Sequence, residues 1–435
     1  MNYILLSGGS GKRLWPLSND SRSKQFIKMF RAEGGGYESM LQRVYRSIAE
    51  ADDEAVITIA APKNQVSAIR NQLGADVNIC VEPCRRDTFP AIVLATAYLK
   101  DVCQVAESEP VVVCPVDPYV GEEYFEALKR LGERAAAGFG RLVLMGIEPL
   151  HPAEKYGYII PKDEALVSRV SAFKEKPDEA AAREYIARGA LWNAGVFAYK
   201  LSYVLEKSHG MIDYKDYGDL LSKYASVQKI SFDYAVVEKE PDIEVMRFGG
   251  QWKDLGTWNT LTESLDDCVV GKGIIGETCS GVHIVNELEV PVLALGLKDV
   301  VISASPQGIL VSDKESSSGI KPYVESIDSQ IMYAEKSWGS FRVIDVDEFG
   351  MTLKVCLKEG RSMSYHSHMK RDEVWVILDG TGTVTIDGCD RTVRAGDTVT
   401  IKAHSVHTIA AKEALRLIEV QLGADIDVHD KIKNQ

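Results

Sequence analysis

The sequence predicts an α/β protein that continues into an all-β region, and three observations support this fold class. From residue 1 to about 262, short apolar runs alternate with stretches of helical periodicity, which is typical of a mostly parallel sheet covered by helices. Over 263–328 glycines interrupt short apolar runs, and helical periodicity is absent. From 329 onward, short strands alternate with Asp-Gly turns, as in a small barrel. We therefore expect three domains, at 1–262, 263–328 and 329–435.

The first region contains the clearest alternation. The predicted strands lie at 3–7, 55–61, 77–82, 110–116 and 141–146, and the predicted helices at 37–49, 90–102 and 122–137. In the first of these helices one face carries the apolar residues Met40, Leu41, Val44 and Ile48. The pattern predicts a Rossmann-like sheet with helices on both faces, in which ligands bind at the carboxyl ends of the strands. The region 263–328 is interpreted as a short β-helix-like unit.

The composition limits the functional classes. Hydrophobic residues at 45% and charged residues at 26% are ordinary for a soluble globular protein. The net charge of −13 argues against a nucleic-acid or membrane-surface binder, so an anionic substrate would need a local cationic pocket. No signal peptide is recognisable, and no apolar stretch approaches the roughly 18 residues of a membrane span. Eight cysteines without a C-x-x-C pair favour free thiols in the cytoplasm.

A glycine-rich loop follows the first predicted strand. Gly8, Gly9 and Gly11 precede the cations Lys12 and Arg13. Backbone N–H groups in such a loop form a concavity for anions, which indicates a polyphosphate site. The spacing fits neither the dinucleotide fingerprint nor the P-loop, so an ordinary turn remains an alternative.

Further polar residues follow or interrupt apolar runs. Asp117 ends the most apolar strand, and Asp254 lies between two tryptophans. Glu175 lies between two lysines, and Asn193 lies within an apolar run. Each has an ordinary alternative: a turn, a solvated strand end or a satisfied core amide.

Together and in this order, these segments resemble the mannose-1-phosphate guanylyltransferase family of sugar-1-phosphate nucleotidyltransferases. The matching segments are 6–18, 24–26, 82–91, 115–117, 156–159, 173–177, Asn193, 232–239 and 252–258. They cover about 1–325 and are specific as a set.

The resemblance implies Mg²⁺-dependent transfer of GMP from GTP to mannose 1-phosphate. The implied nucleotide-binding residues are Leu6, Gly8, Gly9, Gly11, Lys12, Arg13, Lys24, Glu82 and Arg86. The implied sugar-binding residues are Gly157, Glu175, Lys176 and Asn193. The implied Mg²⁺ ligands are Asp117 and Asp254, which act in catalysis with Arg13, Lys24 and Lys176.

Two alternatives stay open at this point. Arg85 and Asp87 stand where relatives commonly have Gly and Asn, so another sugar 1-phosphate or another triphosphate would fit the same chemistry. A noncatalytic nucleotide-sugar sensor is the second alternative, although a sensor does not need the two metal-binding acids.

The third region carries a cupin metal motif. His366, His368 and Glu373 have its spacing, and His407 supplies its second half. Three imidazoles and a carboxylate suit Zn²⁺, Fe²⁺ or Mn²⁺. The location resembles the cupin of bifunctional relatives with phosphomannose isomerase activity, and a metal-bearing assembly or regulatory module is equally compatible. The unit at 263–325 is a candidate surface for a homodimer.

Overall fold

The computed structural model describes residues 1–9, 12–19, 22–327, 330–423, 426 and 430–433. The chain divides into two compact units. The first comprises 1–9, 25–66 and 75–255, and the second comprises 10–24, 67–74 and 256–435. This division does not test the three expected domains, which therefore stay a prediction. Within the described residues, no helix is both long and apolar enough to cross a bilayer.

The first unit contains one large sheet of nine strands and smaller two-stranded pairs. Its strands are β1 Asn2–Leu6, β2 Phe30–Arg31, β3 Tyr37–Glu38, β4 Val56–Pro62, β5 Asn78–Glu82, β6 Pro110–Pro115, β7 Pro118–Val120, β8 Leu142–Ile147, β9 Tyr158–Pro161, β10 Val167–Lys174, β11 Leu191–Lys200, β12 Ile243–Phe248 and β13 Trp252–Asp254. The helices of the chain up to residue 255 are α1 Met40–Ala51, α2 Val66–Leu73, α3 Thr88–Asp101, α4 Glu123–Ala137, α5 Glu179–Ala187, α6 Leu201–His209, α7 Tyr217–Lys223 and α8 Phe232–Ala235.

The nine strands of the large sheet have the order β5-β4-β1-β6-β11-β8-β12-β10-β9. The α/β class is confirmed, but the sheet is mixed. It is parallel from β5 to β6 and between β8 and β12, whereas β10 and β11 pair antiparallel with their neighbours. The sequence did not reveal this, because a strand buried on both faces has the same continuous apolar run in either direction.

Helix α1 illustrates how the local sequence determines an element. Ser39 caps the helix: its hydroxyl accepts from Gln42 N, and its own N–H donates to Gln42 Oε1, both at 3.2 Å. The helix therefore begins at Met40 rather than at residue 37. The predicted apolar face is confirmed, since the buried residues are Met40, Leu41, Val44 and Ile48.

The parallel pairing of β1 with β6 determines where the loops of interest begin. Leu6 pairs with Pro115 at the carboxyl end of both strands. The chain leaves the same edge of the sheet towards Gly8 and towards Asp117. Next to this edge β13 pairs antiparallel with β7, which sets Asp254 opposite Pro118. Residues far apart in sequence therefore converge at one edge.

The second unit contains the β-helix-like region. Its elements are α9 Trp258–Thr262, β14 Val269–Gly271, β15 Gly273–Ile275, β16 His283–Asn286, β17 Val292–Ala294, β18 Val300–Ser305, β19 Gly308–Asp313 and α10 Lys321–Ser326. β14, β16 and β18 pair in parallel, as do β15 and β17, so successive coils stack as in a β-helix. The small core consists of Val282, Ile284, Ala294 and Ile302. Helix α10 has no counterpart in the sequence pattern.

Trp15 and Pro16 pack against other residues of the second unit. Trp258 Nε1 donates to Trp15 O at 3.0 Å, and Ser305 Oγ donates to Pro16 O at 2.7 Å. A Cβ on Gly308 would lie 2.5 Å from Trp15 Cζ2, so the indole needs a glycine beneath it. Through these contacts Trp15 and Pro16 belong to the same compact unit as residues 256–435.

The C-terminal barrel consists of two antiparallel sheets. Its strands are β20 Tyr333–Lys336, β21 Gly339–Val346, β22 Gly350–Leu357, β23 His366–His368, β24 Asp372–Asp379, β25 Thr381–Ile386, β26 Cys389–Arg394, β27 Thr398–Ile401, β28 His407–Ala411, β29 Leu415–Leu422 and β30 Lys431–Lys433. The sheets have the orders β20-β21-β22-β29-β24-β27 and β26-β25-β28-β23-β30. Both contribute to one apolar core around Trp375, as expected for a cupin.

Candidate functional site

A cavity of about 270 Å³ lies at the carboxyl edge of the sheet in the first unit. Its lining brings together five of the predicted site residues: Asp117, Gly157, Glu175, Asn193 and Asp254. These residues come from five separate segments of the sequence. The other lining residues are Pro115, Pro118, Lys155, Tyr156, Ala194, Gly195, Asp233 and Trp252.

The acid end of the cavity holds the two predicted metal ligands. Asp117 follows β6, and Asp254 ends β13. Lys155 Nζ donates to Asp254 Oδ2 at 2.8 Å. Burial acts to lower the pKa of Lys155, but the hydrogen bonds and charges of Asp254 and Tyr156 together outweigh it, so the pKa is raised. Two carboxylates offer the hard oxygen donors that Mg²⁺ prefers, so this donor set fits the predicted ion.

Gly157 shapes the part of the cavity lined by Glu175 and Asn193. A Cβ at this position would lie 2.5 Å from Glu175 Oε2 and 2.8 Å from Phe173 Cζ. The Gly157 carbonyl also accepts a bond from Asn193 N at 2.8 Å. A larger residue would require Glu175 and Phe173 to move, so glycine lets both side chains lie against the backbone at this position.

Asn193 has a fixed orientation. Its Oδ1 accepts from Gly195 N at 3.1 Å, and its Nδ2 donates to Asp233 Oδ1 at 2.6 Å. Burial, followed by the charge of Glu175, raises the pKa of Asp233 to about 6. The sequence placed Asp233 within a family-like segment but gave it no role.

Glu175 and Lys176 form an ion pair beside the cavity. Lys176 Nζ lies 2.5 Å from Glu175 Oε1, and the ammonium is half-exposed. Burial acts to lower the pKa of Lys176, and its bond to Glu175 raises it. Lys176 does not line the cavity itself, although its partner does.

The glycine loop begins directly after β1. Gly9 has a φ of +99°, which favours glycine, and a Cβ on Gly8 or Gly9 would meet no protein atom within 4 Å. Ser7 is fixed beneath them, because its hydroxyl donates to Gln65 Oε1 at 2.9 Å and accepts from Gln25 Nε2 at 3.2 Å. Gly11 and the side chain of Lys12 lie outside the described residues.

The two predicted triphosphate cations belong to the second unit. Arg13 is exposed in the short 3₁₀ helix Lys12–Leu14, and Lys24 is half-buried at the start of Lys24–Phe26. The residues that line the cavity all belong to the first unit. The cavity therefore contains the two predicted acids together with Gly157, Glu175 and Asn193, which were predicted to bind the sugar. Arg13 and Lys24 belong to the second unit and do not line the cavity.

Glu82 and Arg86, predicted to bind the nucleotide, lie near the start of α3. Tyr224 OH donates to Glu82 Oε2 at 2.9 Å, and burial raises the pKa of that carboxyl. The Arg86 guanidinium donates to Ala225 O. Asp87, with a φ of +71°, caps α3.

The barrel contains a buried cluster of three imidazoles. Candidate ligand nitrogens of His366, His368 and His407 lie within 4.8 Å of one another. Glu373 lies beside them, with Oε1 3.1 Å from His368 Nε2 and Oε2 3.3 Å from His407 Nε2. The structure thus brings together the four predicted cupin ligands.

Backbone carbonyls orient all three rings. The Nδ1 atoms of His366, His368 and His407 lie 2.6, 2.7 and 2.9 Å from the carbonyl oxygens of Ser364, Asp430 and Ser405. Because a carbonyl only accepts, each Nδ1 carries a proton and the lone pair of each ring is on Nε2, the atom that would bind a metal. Burial lowers the pKa of His366 to about 3, so this ring stays neutral. The donor set fits a transition metal.

Three further buried polar groups lie in this barrel and were not predicted from the sequence. Arg371 donates to Glu373 Oε1 and contacts His368 Nε2, both at 3.1 Å. Burial and the charge of Glu373 raise the pKa of Glu419 to about 7. Burial lowers the pKa of Lys431 to about 8. Glu419 is one of the buried residues that alternate with more exposed ones along β29. Lys431, on β30, pairs with His368 on β23. The sequence signal was weak, because single charges in strands usually face solvent.

Comparisons with known proteins match two regions of the chain to protein families. Residues 2–268 match the family described as nucleotidyl transferase, and residues 326–434 match mannose-6-phosphate isomerase C-terminal. The alginate biosynthesis protein AlgA of Pseudomonas putida is 31% identical, over 98% of this chain and 94% of that protein. The mannose-1-phosphate guanylyltransferase of Escherichia coli is 27% identical, over 99% and 97%.

A solved structure extends the agreement to the fold. The structure named mannose-1-phosphate geranyltransferase from Thermus thermophilus has a TM-score of 0.61 and 29% identity, over 74% of this chain and 98% of that chain. The chain is therefore an enzyme of the nucleotidyl transferase family, and within it belongs to the mannose-1-phosphate guanylyltransferases with an isomerase-type C-terminal domain.

Proposed function

We propose that the chain transfers GMP from GTP to mannose 1-phosphate and forms GDP-mannose and pyrophosphate. One observation carries the proposal: a single cavity joins the acid pair Asp117 and Asp254 to the sugar-sized pocket around Gly157, Glu175 and Asn193. The relatives named for this reaction support the choice of substrates.

The reaction requires positioning and charge neutralisation. The attacking oxygen belongs to a phosphate whose second pKa is about 6, so it is ionised at neutral pH and needs no general base. The sugar phosphate attacks the α-phosphorus of GTP, and the bond to pyrophosphate breaks. Asp117 and Asp254 would hold Mg²⁺, which neutralises phosphate charge when bound.

The other predicted residues divide between the two substrates. We propose that the backbone of Gly8 and Gly9, with Arg13 and Lys24, binds the triphosphate, because turn N–H groups and cations complement its charge. We propose that Lys176, which pairs with Glu175 beside the cavity, binds the sugar phosphate. The segment with Glu82 and Arg86 is proposed to contact the base.

The direct test is a pyrophosphate-release assay with Mg²⁺, in which several nucleoside triphosphates are paired with a panel of sugar 1-phosphates. The expected result is release with GTP and mannose 1-phosphate above all other pairs. Release only with another pair would replace the proposed substrates. No release with any pair would favour the nucleotide-sugar sensor.

Two variants test the assigned chemistry. Arg13→Ala and Asp254→Ala are each expected to lower turnover by about 100- to 1,000-fold, because each removes a preorganised charge. Arg188→Ala, a change on the cap of α5, serves as the matched control and should retain turnover. Near-normal rates in Arg13→Ala or Asp254→Ala, with folding checked by circular dichroism, would contradict the assignment.

We propose a second activity in the barrel, the interconversion of mannose 6-phosphate and its ketose isomer. The specific observation is the set of buried groups beside the imidazoles. Glu419, with its pKa of about 7, can hold or release a proton at neutral pH. Lys431 and Arg371 supply the cations that a phosphorylated sugar requires.

Metal content tests the imidazole cluster. His407→Ala is expected to lose most of the bound Zn²⁺, Fe²⁺ or Mn²⁺ measured by mass spectrometry, because it removes one of three converging ligands. His404→Asn is the matched control: His404 is close in sequence and lies outside the cluster. Equal metal content in the two variants would contradict the proposed centre.

Isomerase activity is measured separately in the metal-loaded protein. Glu419→Gln is expected to remove it, because glutamine cannot exchange a proton, while pyrophosphate release stays unchanged. A wild-type barrel that binds metal without isomerising would identify it as an assembly or regulatory module.

We further propose that the protein works in the cytoplasm as a homodimer. All eight cysteines are free thiols, which suits a reducing compartment. In the β-helix-like region Ile274 and Leu293 pair across β15 and β17 with more than half of each side chain exposed. Such an exposed apolar pair supports a subunit contact there.

A further inference from the structure

Asp233 is an enclosed carboxylate that the proposed reaction does not use. It lines the cavity in the first unit and follows Ser231, the cap of the short helix α8. The charged groups that act on it are the Glu175 carboxylate and the Lys176 ammonium. A carboxylate withdrawn from water costs stability unless donors satisfy it, so its presence in a ligand cavity points to a ligand that supplies donors.

The hydrogen bonds around Asn193 show which donor reaches Asp233. Asn193 Oδ1 is occupied by Gly195 N, which directs Nδ2 to Asp233 Oδ1 at 2.6 Å. Asn193 therefore uses both ends of its amide within the protein. The described contacts give the Asp233 carboxylate this neutral donor and its own backbone N–H, whereas a carboxylate can accept about four hydrogen bonds.

We propose that Asp233 accepts a hydrogen bond from a ring hydroxyl of the sugar 1-phosphate, and that Asn193 positions Asp233 for this contact. The inference rests on the proposed function, because it concerns the same sugar pocket. Sugar hydroxyls donate, and a bond from a hydroxyl to a carboxylate is about twice as strong as one between neutral groups. An analogue without that hydroxyl would leave the enclosed carboxylate without this hydrogen-bond donor. The enzyme would therefore have a lower kcat/KM for the analogue.

The test combines a variant with substrate analogues. Asp233→Asn keeps the size of the side chain and an oxygen that accepts from Asn193, but it removes the charge. Mannose 1-phosphate is compared with its 2-, 3-, 4- and 6-deoxy analogues. Wild-type kcat/KM is expected to fall about 10- to 100-fold or more for the analogue without the contacted hydroxyl. In Asp233→Asn this penalty should shrink at least about tenfold, while the penalties for the other analogues stay the same.

Stability supplies a second readout. The pKa of about 6 lies above the ordinary value for Asp, so the folded chain retains a proton that the unfolded chain has released. Because the unfolded chain releases this proton at lower pH, the fold loses stability as pH rises from about 4 to about 6, and the loss is complete above pH 6. Asp233→Asn should have a higher urea midpoint than the wild type at pH 8, and this difference should disappear towards pH 4.

Glu240→Gln is the matched control. Glu240 is also a buried carboxylate, but it bonds to Tyr203 OH at 2.8 Å and lies outside the cavity lining. This variant should leave the pattern across the deoxy analogues unchanged. An Asp233→Asn enzyme with the wild-type pattern, or with a lower urea midpoint at pH 8, would overturn the inference and make Asp233 a structural residue. Wild-type inactivity on mannose 1-phosphate would instead overturn the proposed function.

Discussion

The convergence of four carboxylates on one cavity is the constraint on which the first unit depends. Asp117, Glu175, Asp233 and Asp254 all line a space of about 270 Å³. Like charges so close together repel, and burial disfavours their ionised forms. Lys155 offsets the charge of Asp254, Lys176 that of Glu175, and Asn193 donates to Asp233. A fold retains such a cluster where it binds a cation and hydroxyl donors, which are what the proposed reaction provides.

In the barrel, by contrast, the imidazoles at the centre must stay neutral so that they can bind a metal. Three backbone carbonyls fix Nδ1–H on each ring and leave the lone pair on Nε2, and candidate ligand nitrogens of the rings lie within 4.8 Å of one another. Glu373 lies against two of these rings, and Arg371 contacts it. The three carbonyls belong to residues that precede β23, β28 and β30, so the orientation of the rings depends on the backbone of three separate segments. The cavity of the first unit thus balances carboxylates with cations and an amide, whereas the barrel orients neutral rings with backbone carbonyls.

Much of this could be predicted from the sequence, for identifiable reasons. The apolar face of α1 follows from helical periodicity, and Asp117 from its place after a buried parallel strand. The spacing of His366 and His368 brings both to one side of a strand. Lys155 and Asp233 could not be assigned roles, because their partners Asp254 and Asn193 are distant in sequence and meet only through the sheet. Nor does an apolar pattern give the direction of β11, or the packing of Trp15 within the second unit.

The most direct measurement is anomalous diffraction from crystals grown with Mn²⁺ in place of Mg²⁺ and with GDP-mannose. The account predicts one anomalous peak within coordinating distance of the Asp117 and Asp254 carboxylates, in contact with the diphosphate, and mannose next to Glu175 and Asp233. A diphosphate bound without a metal at these two acids, or mannose outside the cavity lined by Gly157, would contradict it.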